Sequence, residues 1–572
     1  MEAPLSNHVQ PLLTDLYQIT MCYAYYKADR HQLPSTFDVF FRKNPFAGEY
    51  TLFAGLGDVL KFVDNWSLTK EDITFLRENV LANAEPAFFD YLEQLDCSEV
   101  TVHAVSEGSV VFPREPLLRI DGPLGICQLL ETTILNLTNY ASLVTTNAAR
   151  FRNAAGPNAT LLEFGLRRAQ GPDGAMSASR YCYMGGFDGT SNVLAAKYYG
   201  IPVKGTHAHA FVCSFSSLSD LNGRTTVIGS DGTTHHDILA PILALRKDIG
   251  WESTNEGELA AFISYAQAFP SNFLALIDTY DTLQSGVRNF LLVAHALHTF
   301  GYKPTGVRLD SGDLAWLSNQ CRTTFFEFAN KFHLPSFQHF LIVASNDINE
   351  TVLLSLADQG HEINAYGIGT NLVTCQAQPA LGMVFKLVQI NELPRIKLSN
   401  EVLKMTIPGK KVVYRLIGKA GTPLLDIIML FDETPPAPGQ KILCCDPFHE
   451  KKRVYVTPSE VQPLMSCWRE GSSSSSSSSS SRVRSSEEEE EEETKEKEML
   501  REEQGGEDVS LPHQQPPPLG DIREYVKQSL AAMRPDHLRA VNPTPYKVSV
   551  STKLYSFLHE LWSKELPVPH IE

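Results

Sequence analysis

The chain has 572 residues, 43% hydrophobic and 20% charged, enough apolar material for two or three domains around a large core. Its net charge of −17 argues against general binding to nucleic acid or acidic membranes, and no apolar run approaches the length of about eighteen residues that a membrane span needs. Ten scattered cysteines without a paired framework, and an N-terminus lacking a basic start and apolar run, read as a reduced cytosolic protein without a signal peptide.

Before residue 130, strands are expected at Phe37–Phe41, Val100–Val105 and Ser109–Phe112, with a helical run after Gln128. Short strand-like runs then alternate with helices: Leu161–Glu163, Val203–Thr206, Phe273–Asp278, Thr305–Leu309, Phe340–Ser345 and Ile363–Gly367. Thr190 or Ser191 is expected to cap a helix that runs to Tyr199 and stops at Gly200. Ser285 opens the apolar-periodic VRNFLLVAHALHTF, closed by Gly301. Such βα repetition predicts a parallel sheet or barrel. Polar and glycine-rich groups gather at the carboxyl ends of these strands (Asp278, Asp310, Ser345-Asn346-Asp347, Gly367-Ile368-Gly369-Thr370), the edge where a βα barrel builds its active site and where an open doubly wound sheet also binds ligands. Contributions from several strands favour the barrel.

Beyond residue 390, Met405, Val412–Leu416 and the paired prolines 435–436 mark a second β-rich patch, expected to join the N-terminal strands in one flanking domain. Between Arg469 and Asp508 stand 14 acidic and six basic residues, with ten consecutive serines (472–481) and seven consecutive glutamates (487–493). That composition cannot bury apolar surface and reads as a disordered insertion, which loop-closure entropy tolerates. A folded tail with the helical pattern IREYVKQSLAAM follows Pro516–Pro518. The expected division is 1–130 flanking, 131–390 barrel, 391–466 with 511–572 flanking, and 467–510 inserted.

The segment from Glu163 to Phe211 is the densest in chemistry. Arg167 and Arg168 follow Phe164 at a strand end, where a guanidinium suits phosphate or carboxylate and the ring suits an aromatic substrate; a surface salt bridge would use the same residues. Gly185–Asn192 precedes a helix and can present N–H groups to an anion, although turns need glycine in any case. His207 and His209 share one face if they lie on a strand; without CxxC or HExxH spacing, a catalytic or phosphate-contacting histidine is favoured over a zinc site. Asp310-Ser311-Gly312-Asp313, preceded by Arg308, suits a ribose diol or a magnesium-bound water, and equally a helix cap.

The ordered blocks LLTDLYQ (12–18), EFGLRRAQGPDGAMSASR (163–180), GFDGTSN (186–192), GTHAHAF (205–211), LIDTYDT (276–282), GVRLDSGDL (306–314) and YGIGTNL (366–372) closely resemble nicotinate phosphoribosyltransferase, over roughly residues 10–465 and again from 511. The resemblance implies the α/β fold of a type II phosphoribosyltransferase: an irregular βα barrel, a flanking α+β domain built from both chain ends, and a head-to-tail homodimer with shared sites. It implies ATP-coupled transfer of phosphoribose from 5-phosphoribosyl 1-pyrophosphate to nicotinate, giving nicotinate mononucleotide and pyrophosphate, with magnesium beside the pyrophosphate and unidentified metal ligands. This is the first step of NAD synthesis from nicotinate.

By the same resemblance, Phe164 and Tyr17 of the second subunit would sandwich the pyridine ring, and Arg167 and Arg308 would engage nicotinate or phosphate oxygens. Asp278 and Asp310 would orient base, ribose or metal. Gly367, Gly369 and Thr370 would hold the 5′-phosphate, and His209, rather than His207, would be phosphorylated by ATP. Related nicotinamide enzymes carry an aspartate at the counterpart of Ser191; a hydroxyl there favours the acid over the amide, because a carboxylate would repel nicotinate. Quinolinate would demand a denser basic cluster. A silent relative would be expected to lack His209, Arg308 or the DSGD turn, and all are present. An unrelated phosphosugar enzyme would not explain the ordered blocks.

Overall fold

The computed structural model describes residues 5–472 and 514–566. Of two six-stranded sheets outside the barrel, the first draws on both ends of the chain and the second on residues 411–550 alone. One runs Leu393–Pro394, Val384–Ile390, Pro34–Phe40, Leu118–Pro123, Thr101–Val105, Met465–Arg469 in hydrogen-bonded order. The other runs Arg453–Val456, Ile442–Cys445, Val548–Val550, Pro423–Leu430, Lys411–Ile417, Glu460–Pro463. Helix α1 (Leu16–Lys27) packs on the short helix Leu124–Leu129, which follows the strand Leu118–Pro123 of the first sheet.

Two boundaries differ from the sequence expectation. Val384–Ile390, assigned there to the barrel, pairs antiparallel with Pro34–Phe40 and belongs to the flanking sheet. The last strand carries the chain past residue 466: the Trp468 indole donates to Ala104 O at 3.2 Å, and Arg469 reaches Asp64 at 2.7 Å and Cys97 O at 2.8 Å. Buried partners, not local composition, decide where that strand ends. The serine and glutamate runs from 473 onward lie outside the described residues.

The middle of the chain forms a parallel sheet of β1 (Thr160–Glu163), β2 (Gly189–Thr190), β3 (Leu274–Leu276), β4 (Gly306–Leu309), β5 (Leu341–Ser345) and β6 (Ala365–Ile368), in the order β3-β4-β5-β6-β1-β2. The segment 202–207 bridges its two edges. Thr190 N donates to Pro202 O at 3.0 Å, Lys204 N donates to Thr190 O at 2.9 Å, and Leu276 N donates to His207 Nε2 at 3.2 Å. The barrel therefore closes through one β-bridge and a side chain, which makes it irregular. The strand expected at Val203–Thr206 is reduced to a bridge at Val203, because Pro202 has no N–H for a ladder and the segment leaves the sheet to insert His207.

Around the barrel run α2 (Glu131–Ala155), α3 (Gly171–Met184), α4 (Val193–Tyr199), α5 (His209–Cys213), α6 (Glu256–Ala268), α7 (Val287–Thr299), α8 (Leu314–Phe332) and α9 (Glu350–Gln359), and α10 (Leu519–Ala532), from the tail of the chain, packs on α3. Asn192, not Thr190 or Ser191, caps α4, its side chain accepting from Ala195 N, because the Thr190 hydroxyl is committed to Glu163 within the sheet. Gly200, at φ +68°, ends that helix as expected. Before α7 a turn at 282–286 is capped by Asp281 rather than Ser285. Gly286 packs directly beneath that turn: a Cβ there would come under 3.0 Å from Ile277 O, so the chain next to Asp278 sits closer to the helix than any other residue allows. Among the described residues no helix is long and apolar enough to cross a membrane.

Candidate active site

Polar side chains converge on a cleft of about 330 Å³ at the carboxyl ends of the barrel strands, lined among others by Phe164, Arg167, Ser191, Thr206, His209, Arg308 and Asp310. Arg308 projects from β4 and organises it. Its Nη2 donates to Asp310 Oδ1 at 2.9 Å, Nε to Ser345 Oγ at 2.8 Å and Nη1 to Thr206 Oγ1 at 3.1 Å. The guanidinium lies 5.4 Å over the Phe164 ring. Burial pushes the Asp310 carboxyl up, but the Ser345 hydroxyl and the Arg308 charge outweigh it and hold the group below its usual range. Asp310 is thus an anion at neutral pH.

Asp278 sits under the same turn, only 2% of its side chain exposed. Its Oδ2 accepts from Asp310 N at 3.1 Å and Ser311 Oγ at 2.5 Å, while Oδ1 is buried without a hydrogen-bond partner among the described residues. His209 opens α5 with its Nδ1 3.1 Å from Thr279 Oγ1. Its Nε2 lies 3.6 Å from Asp278 Oδ1 and 3.7 Å from Asp310 Oδ2. One imidazole nitrogen is anchored on a hydroxyl, and the other faces two carboxylates in an open cleft, an arrangement that orients a nucleophilic or proton-carrying ring.

The structure separates the two histidines, which do not share a strand face. His207 is buried against Phe211 and Tyr265, and burial pushes it down to about 4, so it is neutral. Its Nε2 accepts from the backbone, which puts the ring proton on Nδ1. It closes the barrel.

The base of the cleft is built on Glu163, at the end of β1 and 1% exposed. Its carboxylate accepts from Thr190 Oγ1 at 2.5 Å, Ser179 Oγ at 2.8 Å and Gly165 N. Its carbonyl accepts from Ser191 N at 3.0 Å, which fixes Ser191 at the cleft edge. Phe164 follows, and Gly367 on the adjacent β6 leaves room for it: a Cβ at 367 would come under 3.0 Å from two carbons of the ring. Gly369 and Thr370, the start of the short helix Thr370–Val373, stand at the same strand end. Gly367, Gly369 and Thr370 flank Phe164 and are not among the residues lining the cleft. Arg167, on the turn Leu166–Arg168, is exposed and makes no ion pair among the described residues. Tyr17 stands on α1, outside the cleft of its own chain; burial and the neighbouring Glu131 push its hydroxyl up to about 12.

Thr279, Thr206 and Ser345 were not expected to touch the key groups. Ser345 stood at a strand end, a usable signal; the other two contacts span 70 and 102 residues and leave no local trace.

Residues 12–139 match the nicotinate phosphoribosyltransferase (NAPRTase) N-terminal domain, 159–416 the nicotinate phosphoribosyltransferase family, and 410–504 with 510–558 the C-terminal domain. The chain is 50% identical to nicotinate phosphoribosyltransferase 2 of Arabidopsis thaliana, covering 100% of this chain and 98% of that protein. It is 51% identical to the Caenorhabditis elegans nicotinate phosphoribosyltransferase (99% and 95% covered) and 41% identical to the human protein (98% of each). The crystal structure of human nicotinic acid phosphoribosyltransferase superposes with a TM-score of 0.80, covering 96% of this chain and 100% of that one at 40% identity.

Proposed function

The chain belongs to the nicotinate phosphoribosyltransferase family, and we infer that it is the enzyme that joins nicotinate to 5-phosphoribosyl 1-pyrophosphate, releasing nicotinate mononucleotide and pyrophosphate in the first step of NAD synthesis from nicotinate. The observation that carries the reading is the Arg308 guanidinium seated over Phe164 inside a cleft that also holds Arg167. A flat ring bearing a carboxylate needs an aromatic platform and forked cations beside it.

In this reading nicotinate stacks on Phe164, with Tyr17 of a second copy covering its other face, and its carboxylate meets Arg167 and Arg308. Ser191 donates to that carboxylate, which a negatively charged side chain in its place would repel. The pyridine nitrogen bonds to the anomeric carbon as the carbon–oxygen bond to pyrophosphate breaks. The cationic, oxocarbenium-like transition state asks the protein chiefly to position reactants and neutralise the leaving group. Asp278 and Asp310 orient the ribose, and backbone groups at Gly367, Gly369 and Thr370 receive the 5′-phosphate.

Magnesium fits the donor set without a full protein cage. Among the described residues no group of three or more His, Cys, Asp or Glu is placed to hold a metal ion by itself, but the unpartnered Asp278 Oδ1, Asp310 and the Ser311 hydroxyl are hard oxygen donors of the kind that hold a largely hydrated cation. Bound there, magnesium would neutralise pyrophosphate oxygens.

His209 is the residue that couples ATP to transfer: its ring takes the γ-phosphoryl group, ADP leaves, and hydrolysis of the phosphohistidine drives the product balance. Thr279 and the two carboxylates hold the ring for that step. A homodimer is supported by two exposed apolar surfaces on one chain, Leu16 and Tyr17 on α1 and Val193 and Leu194 beside the cleft, which a head-to-tail pair would cover. Ten free cysteines fit a cytosolic setting. Incubation with γ-labelled ATP should label His209 through an acid-labile bond; stable absence of label in an active enzyme would sink the coupling.

A further inference from the structure

A larger cavity, about 650 Å³, opens at the opposite, amino-terminal end of the barrel strands. Its floor is the turn 156–160 leading into β1 and the Gly185–Gly186 corner leading into β2, and its wall is α10. Three cations face two carboxylates inside it: Arg152, Arg523 and Lys527 against Asp188 and Glu524. Arg152 is fully committed, to Gly186 O at 3.0 Å, Gly156 O at 3.3 Å, Ala159 O at 2.5 Å and Asp188 Oδ2 at 2.6 Å.

Arg523 is not. Its Nη2 donates to Asp188 Oδ1 at 2.8 Å and its guanidinium lies 4.9 Å over the Tyr183 ring, but its Nε is buried with no acceptor among the described residues. Lys527, four residues on, leans on Glu524 at 3.6 Å. Buried donors are almost always satisfied, so an unmet guanidinium N–H with surplus positive charge calls for an anion. On the same wall, Val526 and Leu530 add an apolar surface beside the two cations, and the volume falls in the range of small-molecule sites.

We propose that this cavity binds an organic anion of nucleoside monophosphate size, its charged group on Arg523 and Lys527 and its flat body against Val526 and Leu530, and that occupancy is transmitted to the reaction cleft. Asp188 is the connection. Its Oδ2 also accepts from Leu161 N at 2.9 Å, and its own N donates to Leu161 O at 2.7 Å. Three residues beyond Asp188 stands Ser191, and three beyond Leu161 stands Phe164. An anion that competes with Asp188 for Arg523 loosens the tether shared by β1 and β2, whose far ends carry the base platform. The transmission rests on the roles proposed above for Phe164 and Ser191; the binding itself does not.

Calorimetric titration of AMP into the full-length protein tests both parts. The expected result is one AMP per chain, weakened roughly tenfold or more by Arg523→Gln and by Leu530→Trp, and unchanged by Arg308→Ala. Lys527→Ala, a change at an exposed side chain, stands in if the tryptophan variant fails to fold. Binding lost in Arg308→Ala but kept in Arg523→Gln would place AMP in the reaction cleft and overturn the site, as would no binding at millimolar AMP. Inorganic phosphate binding as tightly as AMP would refute the apolar wall. AMP should also shift the KM for nicotinate in the parent enzyme and not in Leu530→Trp; an unchanged KM with AMP bound would refute the transmission alone.

Discussion

Gly367→Ala probes how the base platform is built. A Cβ at 367 would come under 3.0 Å from two Phe164 ring carbons, whereas ordinary contact begins near 3.4 Å. The backbone cannot retreat, because β6 is paired on both sides, Ser345 opposite Gly367 on β5 and Leu162 opposite it on β1. The ring must therefore withdraw by several tenths of an ångström or more, out from under Arg308. Overpacking of this kind costs about 1–3 kcal/mol of stability, which a chain with so large a core tolerates. The effect on function should be larger, since misplacing a positioning group by ~1 Å costs up to about a hundredfold. The account expects kcat/KM for nicotinate to fall by ~10–100-fold, carried mostly by KM. Mononucleotide formation across a nicotinate series, beside a thermal melt, reads both. In the double variant with Phe164→Ala the two losses should not add, because the glycine acts through the ring. A folded Gly367→Ala enzyme within twofold of the parent would refute the reasoning.

Removing the imidazole in His209→Ala should abolish stimulation by ATP while leaving slow, ATP-independent transfer; stimulation that persists would contradict the role of His209. Ser191→Asp sets a carboxylate against the substrate's own, worth about 1–4 kcal/mol at contact distance depending on screening, so KM for nicotinate should rise at least about fivefold. Unchanged KM and kcat would remove Ser191 from the base site. Glu258 supplies a pH test. It is buried, accepts from Ser285 Oγ at 2.5 Å and Asn289 Nδ2 at 3.0 Å behind the Asp278 turn, and burial pushes its carboxyl up to about 7 from 4.5. A raised acid favours folding while protonated, so its contribution is full below pH 4.5 and fades as pH rises to 7. Glu258→Gln carries no such loss and should gain on the parent by up to ~3 kcal/mol between pH 5 and 8. Parallel melting-temperature profiles for the two proteins would show that the carboxyl does not titrate there.

The barrel, and the convergence of Phe164, Arg167, Ser191, His209, Arg308 and Asp310 on one cleft, were legible because strand ends carry their chemistry in short words. Arg308 and Asp310 are two residues apart on β4 and its turn, and the cleft forms where that turn meets His209. Local propensity failed where a distant partner decides. Thr190 has the side chain of a helix cap, but Glu163 claims its hydroxyl and Asn192 caps α4 instead. Val203–Thr206 has strand-forming residues, yet the chain leaves the ladder so that the His207 ring can close the barrel. Val384–Ile390 falls inside the expected barrel range of 131–390, but its pairing is with residues 34–40, some 350 positions earlier, which no local pattern encodes. Tyr17 illustrates a different limit, since its expected role needs a second copy of the chain.

The most direct test of the central claim is mononucleotide formation by the purified enzyme given 5-phosphoribosyl 1-pyrophosphate, magnesium and either nicotinate or nicotinamide, with and without ATP. The account predicts product from nicotinate, increased by ATP, and little from nicotinamide. Efficient use of nicotinamide would contradict the reading of Ser191, and a folded enzyme that makes no mononucleotide from either base would contradict the assigned reaction.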